Sequence, residues 1–159
     1  MEILESKRQP ELETLERKQL RELEQSGLYV FHGTPADVEE LEPRQAIDHE
    51  IGPDDEPGVH ASQFADYAIF MAVAAQLGRT KSGVTETITD TQHTVALEFG
   101  MSQNAADHLT DDTNGLVYVL DKSGFIQRRK AEWICPKAVK PVMKIRVFKR
   151  DLPKNIDIF

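Results

Sequence analysis

The sequence predicts an α+β domain with few helices and an antiparallel-rich sheet. Three observations point there. A leucine-striped helical segment opens the chain, a second and wholly apolar one follows near its middle, and after position 91 strand-like runs succeed one another. Between those late runs the only helical stretch is around "MSQNAADHL", too little for a helix after every strand, so the strands pair mainly antiparallel. A length of 159 residues suits one domain with a real core, divided here into a helix over 1–27 and the body over 28–159.

In "PELETLERKQLRELEQSG" Leu12, Leu15, Leu20 and Leu23 form one stripe. Pro10 suits the first turn of that helix and Gly27 its C-terminal stop. The run from Leu28 to Phe31 has the β-branched and aromatic content of a strand, and it ends on His32, Gly33 and Thr34. Residues 35–58 carry four prolines, two glycines and many acids, which predicts a long irregular connection. "GVHAS" then gives a short strand. Ser62 is suited to cap a buried helix over "FADYAIFMAVAAQL", which Gly78 ends. Residues 79–91 read as a loop, and strands follow in "HTVALEF", "LVYVL", "GFIQR", "AEWIC" and "VMKIRVF".

Hydrophobic residues make up 40% of the chain and charged ones 29%, the balance of a soluble globular protein. No apolar run approaches the roughly 20 residues that cross a bilayer. The opening "MEILESKRQPELE" is charged almost throughout, unlike a secretory signal. One cysteine, Cys135, excludes an internal disulfide and a cysteine-rich zinc site. The expected compartment is a cytoplasm, of the producing cell or of one the protein enters. The net charge of −8 hides an asymmetry. From Asp37 to Asp112 there are 16 acids against Arg44, Arg79 and Lys81, while from Lys122 to Arg150 ten Lys or Arg face Glu132 alone. Such a basic block either draws phosphates or acidic partners, or neutralises the acidic half across adjacent strands.

There is no glycine-rich phosphate loop, nucleophile elbow, HExxH or CxxC, and the histidines at 32, 49, 60, 93 and 108 lack helical metal-ligand spacing. No metal is expected. Three features remain: His32 ending a strand, His60 within the next, and Glu132 opening a late strand beside Trp133. Taken singly, such histidines are more often surface or satisfied core residues, and such a glutamate is more often a solvated charge.

Their order resembles the diphtheria-toxin-type branch of the ADP-ribosyltransferases, which includes the poly-ADP-ribose polymerases and the small rifampicin-modifying transferases. "YVFHGT", "PGVHASQFADYAIFMA", "TVALEFG" and "AEWICPKAVKPVMKIRV" carry the resemblance, over roughly residues 28–148. It implies a split sheet, two small and largely antiparallel sheets around an NAD cleft. It further implies that His32 bonds the adenosine ribose, that the backbone of Gly33 grips the nicotinamide carboxamide, and that Thr34 assists at the same amide. A side chain at Gly33 would keep the carboxamide from the backbone. Glu132 would stabilise positive charge on the ribose as the nicotinamide bond breaks.

Two departures qualify the resemblance. His60 stands where the family usually has a stacking tyrosine, and related RNA 2′-phosphotransferases of the same fold use histidine there. Phe70, with Tyr67 or Met71, would wall the same pocket if not used in the core. Lys130, after Arg128 and Arg129, stands where arginine-modifying relatives carry a second glutamate. Three cations repel a guanidinium and favour a phosphate-bearing or acidic acceptor, nucleic acid included, unless they only hold the pyrophosphate or solvate a hairpin. The resemblance thus implies mono-ADP-ribosyl transfer from NAD, with catalytic His32, His60 and Glu132, to a protein, nucleic acid or small-molecule acceptor. Alternatives are an NAD- or ADP-ribose-binding module without turnover, and RNA 2′-phosphate transfer on the same fold.

Overall fold

In the computed structural model, which describes residues 13–44 and 57–159, the elements follow in the order α1 Leu15–Ser26, β1 Tyr29–Thr34, β2 Val59–Ala61, α2 Ala65–Val73, β3 Thr80–Ile88, β4 His93–Met101, α3 Gln103–His108, β5 Asn114–Asp121, β6 Ile126–Arg129, β7 Glu132–Cys135, β8 Met143–Phe148 and β9 Ile156–Ile158. Pro10, Leu12 and His49 lie outside the described residues, as do residues 45–56 of the expected irregular connection.

α1 forms because its ends are capped and one stripe is apolar. Thr14 accepts the N–H of Arg17, and Gly27 closes the helix in the left-handed region at φ 73°. Leu20 is fully buried and Leu23 packs beside it, but Leu15 is 80% exposed, so the described stripe is narrower than the leucine spacing predicts. Polar contacts fix the helix further. Buried Asp151 accepts from Thr14 Oγ1 at 2.5 Å and from the Phe148 N–H at 2.8 Å, and Arg17 pairs with Asp66 at 2.8 Å. Glu24 accepts the Ala65 N–H at 2.6 Å, so α1 caps α2. The cap expected from Ser62 is not formed: its Oγ accepts the Phe64 N–H before the helix, and Phe64 is the capping position with no side-chain acceptor. α2 also stops at Val73, short of the expected Leu77.

The central sheet has the order β1-β5-β8, all antiparallel. Alternation sends Phe31, Val117, Val119, Ile145 and Val147 to one face, under α2 and Leu20. Val30, Leu116, Tyr118 and Leu120 go to the other, against Val59, Ala61, Phe125 and Cys135. β5 is thus covered on both faces, which is why "LVYVL" is apolar without alternation. The second sheet, β2-β7-β6, covers that other face.

Two expectations are corrected here. Residues 79–91 are not a loop: β3 occupies Thr80–Ile88, antiparallel to β4 along its whole length. Most of that hairpin is exposed or half-buried, so no apolar alternation marks β3 in the sequence. β4 also takes β9 in parallel beside Phe99–Met101, making a third sheet, β3-β4-β9, where two were expected. Among the described residues no helix is long and apolar enough to cross a membrane.

Candidate functional site

The candidate site lies where β1 and β2 part. Phe31 and Ser62 exchange both backbone hydrogen bonds, at 2.7 and 2.8 Å. The next rung would set Gly33 opposite His60, but the pairing ends at this bridge. The His32 Nδ1–H instead donates to the His60 carbonyl at 2.6 Å, the group a continued ladder would have offered to the Gly33 amide. Backbone groups alternate along an antiparallel strand, so the N–H and C=O of Gly33 turn, like those of Phe31, away from β5 and into this gap.

With a carbonyl as partner, His32 carries its proton on Nδ1 and leaves Nε2 as an acceptor. Burial holds its pKa below the usual histidine value, and the ring stands edge-on to Tyr118 at 6.2 Å. Packing gives Gly33 a reason of its own to lack a side chain. A Cβ there would lie 1.8 Å from the Ala68 carbonyl oxygen and 2.9 Å from the Ala72 nitrogen, so the glycine admits α2 against the strand.

On the facing sheet, His60 Nδ1 and Glu132 Oε1 lie 3.2 Å apart, and Glu132 Oε2 accepts from Arg129 at 3.0 Å. Both residues of the His60–Glu132 pair are about three-quarters covered, with side-chain exposures of 26% and 22%. His60 Nε2 is enclosed and meets no partner among the described residues. Burying such a nitrogen unpaired costs about 1–3 kcal/mol, a strain found more readily at a working site than in a structural one.

The β6–β7 turn behind Glu132 is held from outside its own ladder. Gln63 Nε2 donates to the Lys130 carbonyl at 2.7 Å, while Gln63 Oε1 accepts from Trp133 Nε1 at 3.1 Å. Lys122 sits 4.7 Å above the indole. Of the three cations expected to meet an acceptor, Arg129 is engaged by Glu132, and Lys130 pairs with Glu86 at 3.0 Å. Glu86 also takes His93, and both partners hold its carboxyl below the ordinary range. Lys144–Asp37 and Lys130–Glu86 join the basic block to the acidic one, so part of the charge asymmetry is neutralised between strands.

A cavity of about 220 Å³ opens beside the gap, lined by His32, Thr34, Val38, Leu41, Arg44 and His60 among others. Thr34 accepts the Ala36 N–H at 3.2 Å. Tyr118 holds the same loop, donating to the Ala36 carbonyl at 2.5 Å and accepting the Val38 N–H at 2.8 Å. Phe70 is not brought to the site. It is 1% exposed, its ring lies 4.8 Å from that of Phe99, and Met101 and Ala105 complete that cluster. Tyr67 also faces Phe99, and it accepts the Ser82 hydroxyl at 2.9 Å.

Gln63 and Tyr118 were missed as contributors to this site. For Tyr118 a signal existed, since a tyrosine inside a buried strand must find a partner for its hydroxyl. For Gln63 there was none, because its two partners are about seventy positions away along the chain. Comparison of the chain with protein-family models, with curated proteins and with solved structures finds no match.

Proposed function

We propose that this chain is an NAD-dependent mono-ADP-ribosyltransferase. The observation that carries the reading is the strand edge at Gly33, which turns a donor and an acceptor into the gap beside His60, whose ring meets Glu132. A primary carboxamide presents one acceptor and one donor side by side, the complement of a free strand edge. Nicotinamide is such a carboxamide. The neutral His32 offers Nε2 as an acceptor to a ribose hydroxyl.

With the ring held there, the bond between nicotinamide and ribose breaks and its electron pair leaves with the nicotinamide, neutralising the pyridinium. Positive charge builds on the sugar, where the Glu132 carboxylate stabilises it more than the ground state. The acceptor's nucleophile then bonds to that carbon and gives up its proton. Arg128 and Arg129 end β6 and Lys130 follows in the turn before Glu132, which supports an acceptor on that side. A phosphate-bearing acceptor has to compete with the Arg129–Glu132 and Lys130–Glu86 pairs.

A second reading is an NAD-binding module without turnover, favoured by the engagement of both Glu132 oxygens by His60 and Arg129. Nicotinamide release separates the two. On the transferase reading the wild-type chain releases nicotinamide from NAD, and Glu132→Gln lowers turnover on the order of 10²-fold while NAD still binds. Release equal to wild type in a folded Glu132→Gln variant removes the carboxylate from the mechanism. Binding without release favours the module.

A further inference from the structure

The geometry points to Gln63 as a positioning residue for Glu132, an inference that rests on the reading of Glu132 as the catalytic carboxylate. His60 and Gln63 are three residues apart on one segment, and both side chains reach the turn between β6 and β7. His60 meets the Glu132 carboxylate itself. Gln63 meets the chain on either side of it, at the Lys130 carbonyl and the Trp133 indole. An amide suits both contacts at once, because the carbonyl needs a donor and the indole N–H needs an acceptor.

The ladder places Glu132 only opposite Arg129, on the far side of an irregularity. Pairing of β6 with β7 slips register between Gln127 and Arg129, directly before the turn. Gln127 reaches the same Lys130 carbonyl, but at 3.4 Å against 2.7 Å for Gln63. Arg129 holds the Glu132 carboxylate from within the sheet, and Gln63 adds a clip from outside the β6–β7 hairpin on either side of it. A carboxylate that acts on a transition state loses effect when its support loosens by about an ångström.

The test compares Gln63→Ala, Gln63→Glu and Gln127→Ala in the full chain. Trp133 is the sole tryptophan, so its indole N–H gives one unambiguous resonance. In Gln63→Ala the indole N–H and the His60 ring resonances should both shift while the unfolding transition stays cooperative. Nicotinamide release should fall on the order of 10- to 100-fold in turnover, with KM for NAD within about threefold of wild type. Gln63→Glu, which keeps the acceptor for the indole and loses the donor to Lys130, should fall between the two, and Gln127→Ala should change release less than Gln63→Ala. An indole shift with the His60 ring unmoved overturns the inference, as does unchanged turnover in Gln63→Ala. Should the wild-type chain release no nicotinamide, the transferase reading fails by itself, and the paired Trp133 and His60 resonances still decide whether Gln63 sets the carboxylate.

Discussion

The two walls of the gap are built on different physics. The β1-β5-β8 wall is held by apolar burial: Val117, Tyr118, Val119 and Leu120 are all 0% exposed, and α2 closes on Gly33 without room for a methyl group. In the β2-β7-β6 wall, Cys135 is the one buried residue of β7, and Ile126 of β6 is 68% exposed. β2 of that wall buries Val59 and Ala61, but its β6–β7 end is positioned by polar contacts: Gln63 to the turn, Arg129 to Glu132, Lys130 to Glu86 and Lys122 over Trp133. The first wall offers backbone and a neutral histidine from a rigid support. The second offers the charged group whose aim depends on side-chain geometry. Substitutions should therefore appear as lost stability in the first wall and as lost turnover in the second.

The largest expected effect is in the first wall. Gly33→Ala forces a methyl group into the Ala68 carbonyl, and backbone does not step aside as a flexible side chain would. A loss of about 3 kcal/mol or more in urea unfolding is expected, the upper end of overpacking costs. Wild-type stability in this variant would contradict the packing of α2 on β1.

Next comes the second wall. His60→Tyr keeps a flat ring and enlarges its face but removes the ring nitrogen 3.2 Å from Glu132. Turnover should drop about tenfold, the scale of one lost hydrogen bond to a charged group, with NAD affinity kept or improved. Weaker NAD binding with turnover intact would reverse the roles given to His60 and Glu132.

A pH effect sharpens the contrast from the first wall. Burial depresses the His32 pKa in the folded chain, whereas the unfolded chain takes its proton near the ordinary 6.5. The stability that the neutral ring contributes is thus complete above pH 6.5 and is lost as the pH falls below it. His32→Asn keeps an N–H for the His60 carbonyl and cannot titrate, so its unfolding midpoint should fall less than wild type's between pH 7 and pH 5. Parallel profiles would place the ring in solvent.

The smallest effect belongs to neither wall. Gly83→Ala on the projecting hairpin meets nothing within 4 Å and should stay within about 0.5 kcal/mol of wild type. A larger loss would mean that the hairpin's flank is covered.

The same contrast explains what was legible in the sequence. Apolar burial writes itself into residue order, so "LVYVL", "VMKIRVF" and the helix after Phe64 were readable as core elements. β3 was not, because no residue of that strand is buried and "TKSGVTETI" keeps no period. His32 ending one strand, His60 within the next and Glu132 opening a late one were legible in the sequence, and the structure brings His32 to the His60 carbonyl and His60 to Glu132. Phe70 was misassigned because a helix that is apolar all round does not show which side meets the core. Gln63 left no trace, since side-chain hydrogen bonds to distant backbone have no sequence period.

The measurement that tests the central claim most directly is calorimetric binding of NAD against its deamidated analogue, nicotinic acid adenine dinucleotide, at pH 7. The two differ only in the group proposed to meet Gly33. The carboxylate has no N–H to give the Gly33 carbonyl and sets charge against it, so the analogue should bind about tenfold more weakly or worse, one lost hydrogen bond being worth about that much. Equal affinity for the two dinucleotides, or no binding of either, would contradict the assignment of the Gly33 strand edge as the carboxamide site.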